Sequence, residues 1–198
     1  MKRIVLASGN PGKIREIGAL LAPLAIEVVP QSALGISEAE EPYDTFLENA
    51  LAKARHASLA AGLPALADDS GLSVDALGGA PGVHSAYYAG REGNREERDA
   101  RNNAKLLASL KDNRKAHYTC VIVFLEHFEK TPLVAEGIWH GEIARVPRGA
   151  SGFGYDPLFL LPGGETAAEL DPGEKNRISH RGIALVKLLE LLRDSSRG

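Results

Sequence analysis

An α/β fold with a mixed sheet is predicted by two features of this 198-residue sequence. Short apolar runs typical of strands alternate with stretches of helical periodicity, and two long strand candidates follow each other directly. Strands interleaved with helices, together with an adjacent pair of strands, indicate an α/β protein with a mixed sheet. We expect residues 1–198 to form a single domain, since no repeat, low-complexity tract or long linker divides the chain.

The first half of the chain supplies two strands and two helices. Strands are predicted at residues 3–7 and 26–30, and a helix follows Lys13, where isoleucine and leucine recur at helical spacing. A second helix is predicted from the capping-box spacing of Thr45 and Glu48.

The second half begins with the stretch ALADDSGLSV at residues 65–74, where two apolar runs flank DDSG. We expect a strand, an acidic turn and another strand there. A helix is predicted over residues 95–110, and the runs at 117–128 and 132–144 are the longest strand candidates and are expected to pair. A closing helix is predicted over residues 179–192, where apolar side chains share one face.

Composition and charge exclude several classes of function. The net charge of −3 and the lack of a basic run interleaved with aromatics argue against binding of polymeric DNA or RNA. The single cysteine, Cys120, lies in an apolar run and is predicted to be a core residue in a reducing compartment. No apolar run has the length of a membrane span or a signal-peptide core, so we expect a cytoplasmic protein without membrane association.

The segment SGNPGK at residues 8–13 lies between the first predicted strand and the first helix. Free backbone N–H groups and the positive end of the helix dipole favour an anion at such a place, and Lys13 adds a full charge. The spacing of the glycines fits neither a Walker A loop nor a dinucleotide fingerprint. We interpret the segment as a phosphate site of another kind, with an ordinary strand-to-helix turn as the alternative.

Two acidic groups are candidate metal ligands, the run EAEE at residues 38–41 and the pair Asp68–Asp69. Two adjacent carboxylates beside an apolar strand repel each other and lose hydration, a cost that a divalent cation would relieve. Oxygen ligands without a nearby His or Cys cluster favour Mg²⁺, which takes one or two carboxylates plus substrate phosphates. The alternatives are a solvated acidic loop and a turn in which one aspartate caps the backbone.

The segment RGASGFGYDPLF at residues 148–159 surrounds one aromatic ring and one carboxylate with glycines, which allow a backbone to approach a ligand closely. Phe153 is a candidate to stack on a nucleobase. Asp156 is a candidate to accept a proton from a base or a ribose, and its alternative role is to begin a turn.

A basic segment, EKNRISHRG, follows at residues 174–182 around a predicted helix start. Arg181 offers paired donors that match two acceptors such as O6 and N7 of a 6-oxopurine. The alternative is a helix N-cap at Ser179 with surface basic residues around it.

Five ordered blocks of this chain resemble the inosine triphosphate pyrophosphatase family, in particular its bacterial members that act on dITP and XTP. These blocks are ASGNPGK, EEPYDTFLENALAKA, LADDSGLSVDALGGAPGVHSA, SGFGYDPLF and EKNRISHRG. The resemblance covers essentially the whole chain. It implies an elongated α/β fold with a mixed sheet flanked by helices, two lobes and a central nucleotide cleft, usually in a homodimer.

The resemblance also implies an activity, the Mg²⁺-dependent hydrolysis of non-standard purine nucleoside triphosphates (ITP, dITP and XTP) to the monophosphate and pyrophosphate. Mn²⁺ is the expected substitute for Mg²⁺. Such an enzyme would cleanse the nucleotide pool.

Roles for individual residues follow from the same resemblance. The opening loop would hold the triphosphate through Ser8, Gly9, Asn10, Pro11, Gly12 and Lys13. Asp69 would be the catalytic proton acceptor and a metal contact, and Glu40 or Glu41 would be the second acidic metal position. Further substrate contacts are expected from Lys53, Asp68 and Ser70. The base would be recognised by Phe153, Gly154, Tyr155 and Asp156, and by Lys175, Ser179, His180 and Arg181.

Two other functions stay open at the level of sequence. A non-catalytic nucleotide sensor could use the same loops, but a binder of an anionic triphosphate gains nothing from nearby carboxylates in the absence of a metal. Hydrolysis of modified pyrimidine triphosphates is disfavoured by a purine-sized base site at His180 and Arg181. The sequence does not rank ITP, dITP and XTP, and it assigns residues 91–117 no role beyond the core and a dimer surface.

Overall fold

The computed structural model describes residues 2–24 and 26–195, so that positions 1, 25 and 196–198 of the predicted domain lie outside the described residues. Strands in these ranges are β1 (Lys2–Leu6), β2 (Ile26–Pro30), β3 (Ala65–Val74), β4 (Lys115–Leu125), β5 (Leu133–Ile143) and β6 (Phe159–Leu160). They form one sheet in the order β2-β1-β3-β4-β5-β6. β1 pairs in parallel with β2 and β3, whereas β5 and β6 pair antiparallel, so the predicted mixed sheet is confirmed.

The α-helices in the same ranges are α1 (Pro11–Leu21), α2 (Phe46–Ala61), α3 (Arg95–Ser109), α4 (Pro172–Ile178) and α5 (His180–Ser195). None of these helices has the length and apolar character needed to cross a bilayer, within the ranges that the structure describes.

Side-chain caps explain where two of the helices begin. Thr45 accepts a hydrogen bond from the backbone N–H of Glu48 at the start of α2, which confirms the predicted cap. Asn94 and Glu97 form a complete capping box at the start of α3. Each cap satisfies backbone N–H groups that have no partner inside their own helix.

The expected strand, acidic turn and strand over residues 65–74 is wrong, because β3 runs through this stretch without interruption. Asp68 and Asp69 therefore lie inside a strand. Since successive side chains of a strand point to opposite faces, the two carboxylates diverge instead of competing for one site. A turn is then not needed to keep them apart.

The closing helix is confirmed as α5, but a separate short helix, α4, precedes it. Asp171 caps α4 by accepting from the backbone N–H of Gly173, and Pro172 occupies its first turn. Ser179 has an extended backbone at the end of α4, and its backbone N–H donates a hydrogen bond to the carbonyl of Lys175. Ser179 thus joins two helices.

The chain divides into two compact units, in agreement with the two lobes that the resemblance implies. The first unit contains residues up to Asp69, Cys120–Gly137 and the chain from His180 onward, and the second contains Ser70–Thr119 and Ile138–Ser179. The strands β3, β4 and β5 each contribute residues to both units.

The core of the first unit follows the alternation of its strands. One face of the sheet packs against α1 and α5 through residues that include Ile4, Leu6, Leu66, Cys120 and Ile122. The other face packs against α2 through residues that include Val5, Ala7, Ala67, Val121 and Val123. By this alternation Asp68 continues the first face and Asp69 the second. Cys120 is fully buried, which confirms its assignment as a core residue.

The core of the second unit is built around the aromatic rings of Tyr118, Trp139 and Phe159. Leu106 and Leu110 bring α3 onto this cluster. This helix is thereby fixed in the same unit as the segment 152–156.

Candidate active site

The loop between β1 and α1 is organised by two of its own side chains. The Oδ1 atom of Asn10 accepts from the backbone N–H groups of Gly12 and Lys13 at 2.9 and 3.2 Å, which caps α1. The hydroxyl of Ser8 accepts from the N–H of Asn10 at 3.2 Å. Asn10 thus already satisfies two of the N–H groups at the start of α1 that were expected to be free for an anion.

Gly9 allows an acidic side chain to lie against this loop. A Cβ atom at position 9 would lie 1.7 Å from the Oε1 atom of Glu38. The acidic run at residues 38–41 therefore lies against the loop between β1 and α1, at Gly9.

Asp68 is the centre of a buried group of charges in the first unit. Its side chain has no exposed surface, and its Oδ2 atom lies 2.9 Å from Nζ of Lys13 and 3.2 Å from Nη2 of Arg181. Arg181 also forms an ion pair with Glu16 of α1. Two cations thus share one carboxylate, and a second carboxylate balances Arg181.

The electrostatics of this group keep Asp68 and Arg181 charged. Burial alone would raise the pKa of Asp68, but Lys13 and Arg181 hold that pKa well below its ordinary value. Burial alone would lower the pKa of Arg181, yet Asp68 and Glu16 hold it above its ordinary value. Lys13 is therefore held by a permanent anion at the first turn of α1.

Asp69 lies on the opposite face of β3 and meets α2. Its Oδ1 atom is 3.0 Å from Nζ of Lys53, and its Oδ2 atom accepts from Nδ2 of Asn49 at 3.4 Å. Burial raises the pKa of Asp69 above its ordinary value, an effect that Lys53 and Lys13 reduce. A carboxylate with a raised pKa beside a lysine is suited to accept a proton.

Lys53 joins Asp69 to the acidic loop, because it also forms an ion pair with Glu41. Burial would lower the pKa of Lys53, but Asp69 and Glu41 raise it above its ordinary value, so this side chain stays protonated.

The carboxylates of Glu41 and Asp69 are hard oxygen ligands and fit Mg²⁺, which takes one or two carboxylates and completes its shell with phosphate and water. Glu40 and Glu41 are both exposed, and Glu41 is the one that the structure links to Asp69, through their shared ion-pair partner Lys53. Among the described residues, no group of three or more His, Cys, Asp or Glu side chains is already assembled around one point. A metal here would depend on ligands from the substrate.

The predicted base-binding segment belongs to the second unit, where Asp156 holds it together. The Oδ2 atom of Asp156 accepts from the backbone N–H of Phe153 at 2.8 Å and from Nζ of Lys175 at 2.6 Å. Asp156 and Lys175 are both buried. A Cβ atom at Gly152 would lie 2.1 Å from the same Oδ2 atom, so this turn needs glycine there.

Two cations lie near the ring of Phe153. The guanidinium carbon of Arg95 and the Nζ atom of Lys175 are each 5.0 Å from the ring centroid, within the range of a cation–π interaction. Tyr155 is buried, and its hydroxyl donates to the carbonyl of Ser85 at 2.9 Å. The segment therefore presents Phe153 while Tyr155 anchors it in the core.

The first turn of α5 packs directly on β5 at Gly137. A Cβ atom at position 137 would lie 2.0 Å from the carbonyl oxygen of His180 and 2.6 Å from the amide nitrogen of Ala184. The absence of a side chain there lets His180 and Arg181, both buried, lie close to the sheet. Ser70, half-buried, and Ser179, buried, belong to the second unit.

A sequence model of the Ham1 family matches residues 4–191. The chain belongs to the Ham1 family.

Close relatives of this Ham1-family chain carry one functional name. This chain is 60% identical over 197 residues to the dITP/XTP pyrophosphatase of Ralstonia nicotianae, with 98% of each chain covered. It is 54% identical over 201 residues to the dITP/XTP pyrophosphatase of Yersinia pseudotuberculosis, with 98% of this chain and 100% of that protein covered. The solved structure of a HAM1 protein from Coxiella burnetii superposes with a TM-score of 0.87 at 49% identity, over 98% of this chain and 100% of that one. The resemblance drawn from the five sequence blocks is confirmed.

Two residues of this Ham1-family site were not among the predicted ones, although the sequence contains a signal for each. Glu16 lies three residues after Lys13, on the same face of α1, where it meets Arg181. Asn49 lies four residues before Lys53, on the same face of α2, and binds Asp69. Helical spacing from a predicted site residue would have indicated both.

Proposed function

We propose that this Ham1-family chain hydrolyses non-standard purine nucleoside triphosphates, namely ITP, dITP and XTP, to the nucleoside monophosphate and pyrophosphate. Relatives named dITP/XTP pyrophosphatase, at 54% and 60% identity over nearly the whole chain, support the reaction. The observation that carries it is the pair of consecutive carboxylates on β3, because Asp68 holds Lys13 of the loop while Asp69 is left with a raised pKa. Such an activity removes these nucleotides before they enter DNA or RNA.

The phosphate end of the site is the loop from Ser8 to Lys13. Lys13, fixed by Asp68 at 2.9 Å, would stabilise the negative charge that develops on the leaving pyrophosphate. Ser8, Gly9, Pro11 and Gly12 would hold the triphosphate through the loop, and Asn10 would add its side-chain amide. Pyrophosphate then leaves as one unit.

Asp69 would accept a proton from the water that attacks the α-phosphorus and would orient that water. Its raised pKa supports this role, since a base works best when its pKa approaches the working pH. Lys53 and Asn49 would fix the carboxylate in place through their contacts to its two oxygens. Ser70 follows it in sequence and would contact the substrate, whereas Asp68, whose side chain has no exposed surface, would act on the substrate through Lys13.

Mg²⁺, with Mn²⁺ as a substitute, would be held by Asp69 and Glu41, with Glu40 as the other acidic candidate. When bound, the ion neutralises triphosphate charge and polarises the phosphoryl oxygens. The contact of Glu41 with Lys53 supports Glu41 as the ligand in preference to Glu40.

The base end of the site would be the segment 153–156 together with the basic residues that follow it. Phe153 would stack on the purine. The paired side chains of Asp156 and Lys175 would supply polar contacts to the purine. The further base contacts are Gly154, Tyr155, Ser179, His180 and Arg181. Donors aimed at O6 leave a buried donor unsatisfied when adenine binds, and such a mismatch reduces kcat/KM by about four orders of magnitude.

We also propose that the chain acts as one pyrophosphatase domain and that the enzyme is a homodimer. The location that suits a nucleotide-pool enzyme with a free, buried cysteine is the cytoplasm. Light scattering on the purified protein measures the dimer directly, and a monomer mass at assay concentrations would contradict it.

The experiment that tests the function is product analysis by chromatography. Purified protein with Mg²⁺ is incubated separately with ITP, dITP, XTP, ATP and GTP. We expect monophosphate plus pyrophosphate from ITP, dITP and XTP, while ATP and GTP largely survive. Binding of ITP without cleavage in Mg²⁺ or Mn²⁺ would favour the sensor, and cleavage of modified pyrimidine triphosphates alone would favour the other enzymatic alternative.

Asp69→Asn tests the catalytic assignment with Asp112→Asn as its matched control. Both variants exchange one carboxylate for an amide, and Asp112 is exposed. We expect Asp69→Asn to lose at least about 100-fold in kcat, the scale of general base catalysis, while the control keeps its activity. Normal turnover by a folded Asp69→Asn protein would remove Asp69 from the chemistry.

A further inference from the structure

Helix α3, within the stretch to which the sequence assigns no role beyond the core and a dimer surface, contacts the predicted base-binding segment through one stripe of side chains. Arg95, Asp99 and Asn103 follow one another at intervals of four residues and therefore share a helix face. The Oδ2 atom of Asp99 accepts from the backbone N–H of Gly154 at 2.9 Å. The Nδ2 atom of Asn103 donates to the carbonyl of the same glycine at 3.0 Å. Two successive turns of α3 thus hold both polar backbone groups of Gly154.

Gly154 is a residue whose backbone needs such restraint. Its φ of +64° is in the left-handed region, which glycine enters without steric cost. A Cβ atom there would meet nothing within 4 Å, so the backbone conformation and not crowding calls for glycine. Because glycine is also the most flexible residue, its geometry depends on the two hydrogen bonds from α3.

The restraint on Gly154 reaches Phe153, because the two residues share a peptide bond. On its other side, the backbone N–H of Phe153 donates a hydrogen bond to the Oδ2 atom of Asp156 at 2.8 Å. The third residue of the stripe, Arg95, lies over the ring of Phe153 at 5.0 Å and is 3.8 Å from Asp99. Phe153 is therefore fixed between an internal bond to Asp156 and an external support from α3.

Asn103 retains a polar group at a cost. Its Oδ1 atom is buried and has no hydrogen-bond partner among the described residues. A buried acceptor without a partner is destabilising, and an apolar side chain of similar size avoids this penalty. The amide is therefore best explained by what its Nδ2 atom does, which is to bind Gly154.

We propose that Asp99 and Asn103 are positioning residues for base recognition, which hold Gly154 so that Phe153 is preorganised to stack on the purine. The proposal rests on the proposed function, since it takes Phe153 as the stacking residue. Neither side chain needs to touch the substrate. A preorganised ring binds its partner without a further loss of conformational entropy, so the effect belongs to substrate affinity.

The test measures kcat and KM for ITP in wild type, Asp99→Ala, Asp99→Asn and Asn103→Leu, with Glu96→Ala as a control. Glu96 is an exposed acidic residue on the same helix. We expect Asp99→Ala to raise KM about tenfold, the effect of losing one hydrogen bond to a charged group, with little change in kcat. Asp99→Asn keeps an oxygen that can accept from Gly154 and should restore most of the wild-type KM. Asn103→Leu should also raise KM, and Glu96→Ala should not.

Hydrogen exchange at the amide of Gly154 provides a readout besides activity. We expect faster exchange in Asp99→Ala than in wild type or Glu96→Ala, because the acceptor is lost. Should Asp99→Ala fail to fold, Asp99→Asn and Asn103→Leu are compared in its place. A wild-type KM for ITP in folded Asn103→Leu together with a wild-type KM in folded Asp99→Ala would overturn the proposal. A KM for ITP in Asp99→Asn as high as that in Asp99→Ala would also overturn the proposal. Failure of the wild type to cleave ITP would instead overturn the proposed function.

Discussion

Asp68 shows how one residue can be buried, charged and stabilising at once. A fully buried carboxylate is costly unless cations and hydrogen bonds replace its hydration. Here Lys13 and Arg181 supply that replacement, and Glu16 balances the second of them. The same contacts place Lys13 at the loop, so the stability of the first unit and the geometry of the proposed phosphate site depend on one carboxylate.

Asp68→Asn should lower the free energy of unfolding by about 3 kcal/mol, the lower end for breaking a buried ion pair, because Glu16 still balances Arg181. The pKa of Asp68 is depressed in the folded state, so its contribution is present above the ordinary carboxyl pKa and is lost as the pH falls. Urea unfolding at pH 7 and at pH 3 measures both effects. The difference between wild type and variant should be smaller at pH 3. A difference that grows on acidification would contradict the depressed pKa.

Arg181 can be tested as a reader of the base. Arg181→Ala is expected to narrow the ratio of kcat/KM between ITP and ATP by about tenfold or more, because the donors proposed for O6 are lost. Arg181→Lys keeps a positive charge near Asp68 but lacks the paired donors, so the ratio should narrow there too. Glu16→Gln is the control, since it removes a partner of Arg181 and leaves the guanidinium. An unchanged ratio in both Arg181 variants would mean that Arg181 acts only through Asp68 and Lys13.

At the scale of elements, the sequence predicts those helices and strands that are determined by residues close together in the chain. The cap at Thr45 depends on Glu48, three residues away, and both helix and cap are as predicted. The two strand candidates in the middle of the chain are neighbours in the sheet, as expected.

Elements that depend on distant partners could not be predicted in the same way. Inside β3, Asp68 is paired with Arg181, which is 113 positions away along the chain. The sequence DDSG at residues 68–71 resembles a turn when the contact with Arg181 is not known. Likewise, Asp99 and Asn103 look like ordinary polar residues of a surface helix until Gly154 is placed against them.

The start of α3 can be tested through its capping box. Asn94→Ala should lower the free energy of unfolding by about 1 kcal/mol, because the N–H of Glu97 loses its acceptor. Asn94→Ser keeps a capping oxygen and should retain most of the stability. Urea unfolding gives the free energies, and hydrogen exchange should show fraying of the first turn of α3 in the alanine variant. Equal stability of the alanine variant and wild type would show that packing of Leu106 alone holds the helix.

At the scale of the whole molecule, three strands run without interruption from one unit into the other. The chain provides one reporter in each unit, since it has a single tryptophan, Trp139, in the second and a single cysteine, Cys120, in the first. Burial raises the pKa of the Cys120 thiol to about 12, so a thiol reagent labels it only after unfolding.

We expect the fluorescence of Trp139 and the labelling of Cys120 to report the same midpoint in urea, because separation of the units would break three strands. A coincident transition is the behaviour of the single domain predicted from the sequence. Two separate midpoints would mean that the units unfold independently, and the single-domain prediction would then be wrong.

Gly137 shows that sensitivity to mutation and contact with a ligand are different properties. Any side chain at this position would push the first turn of α5 away from β5, and with it the backbone that carries His180 and Arg181. In a saturation mutagenesis experiment scored by growth on a mutagenic nucleotide, position 137 would therefore behave like a residue of the substrate pocket. Engineers who wish to alter the base preference of this scaffold should leave it unchanged.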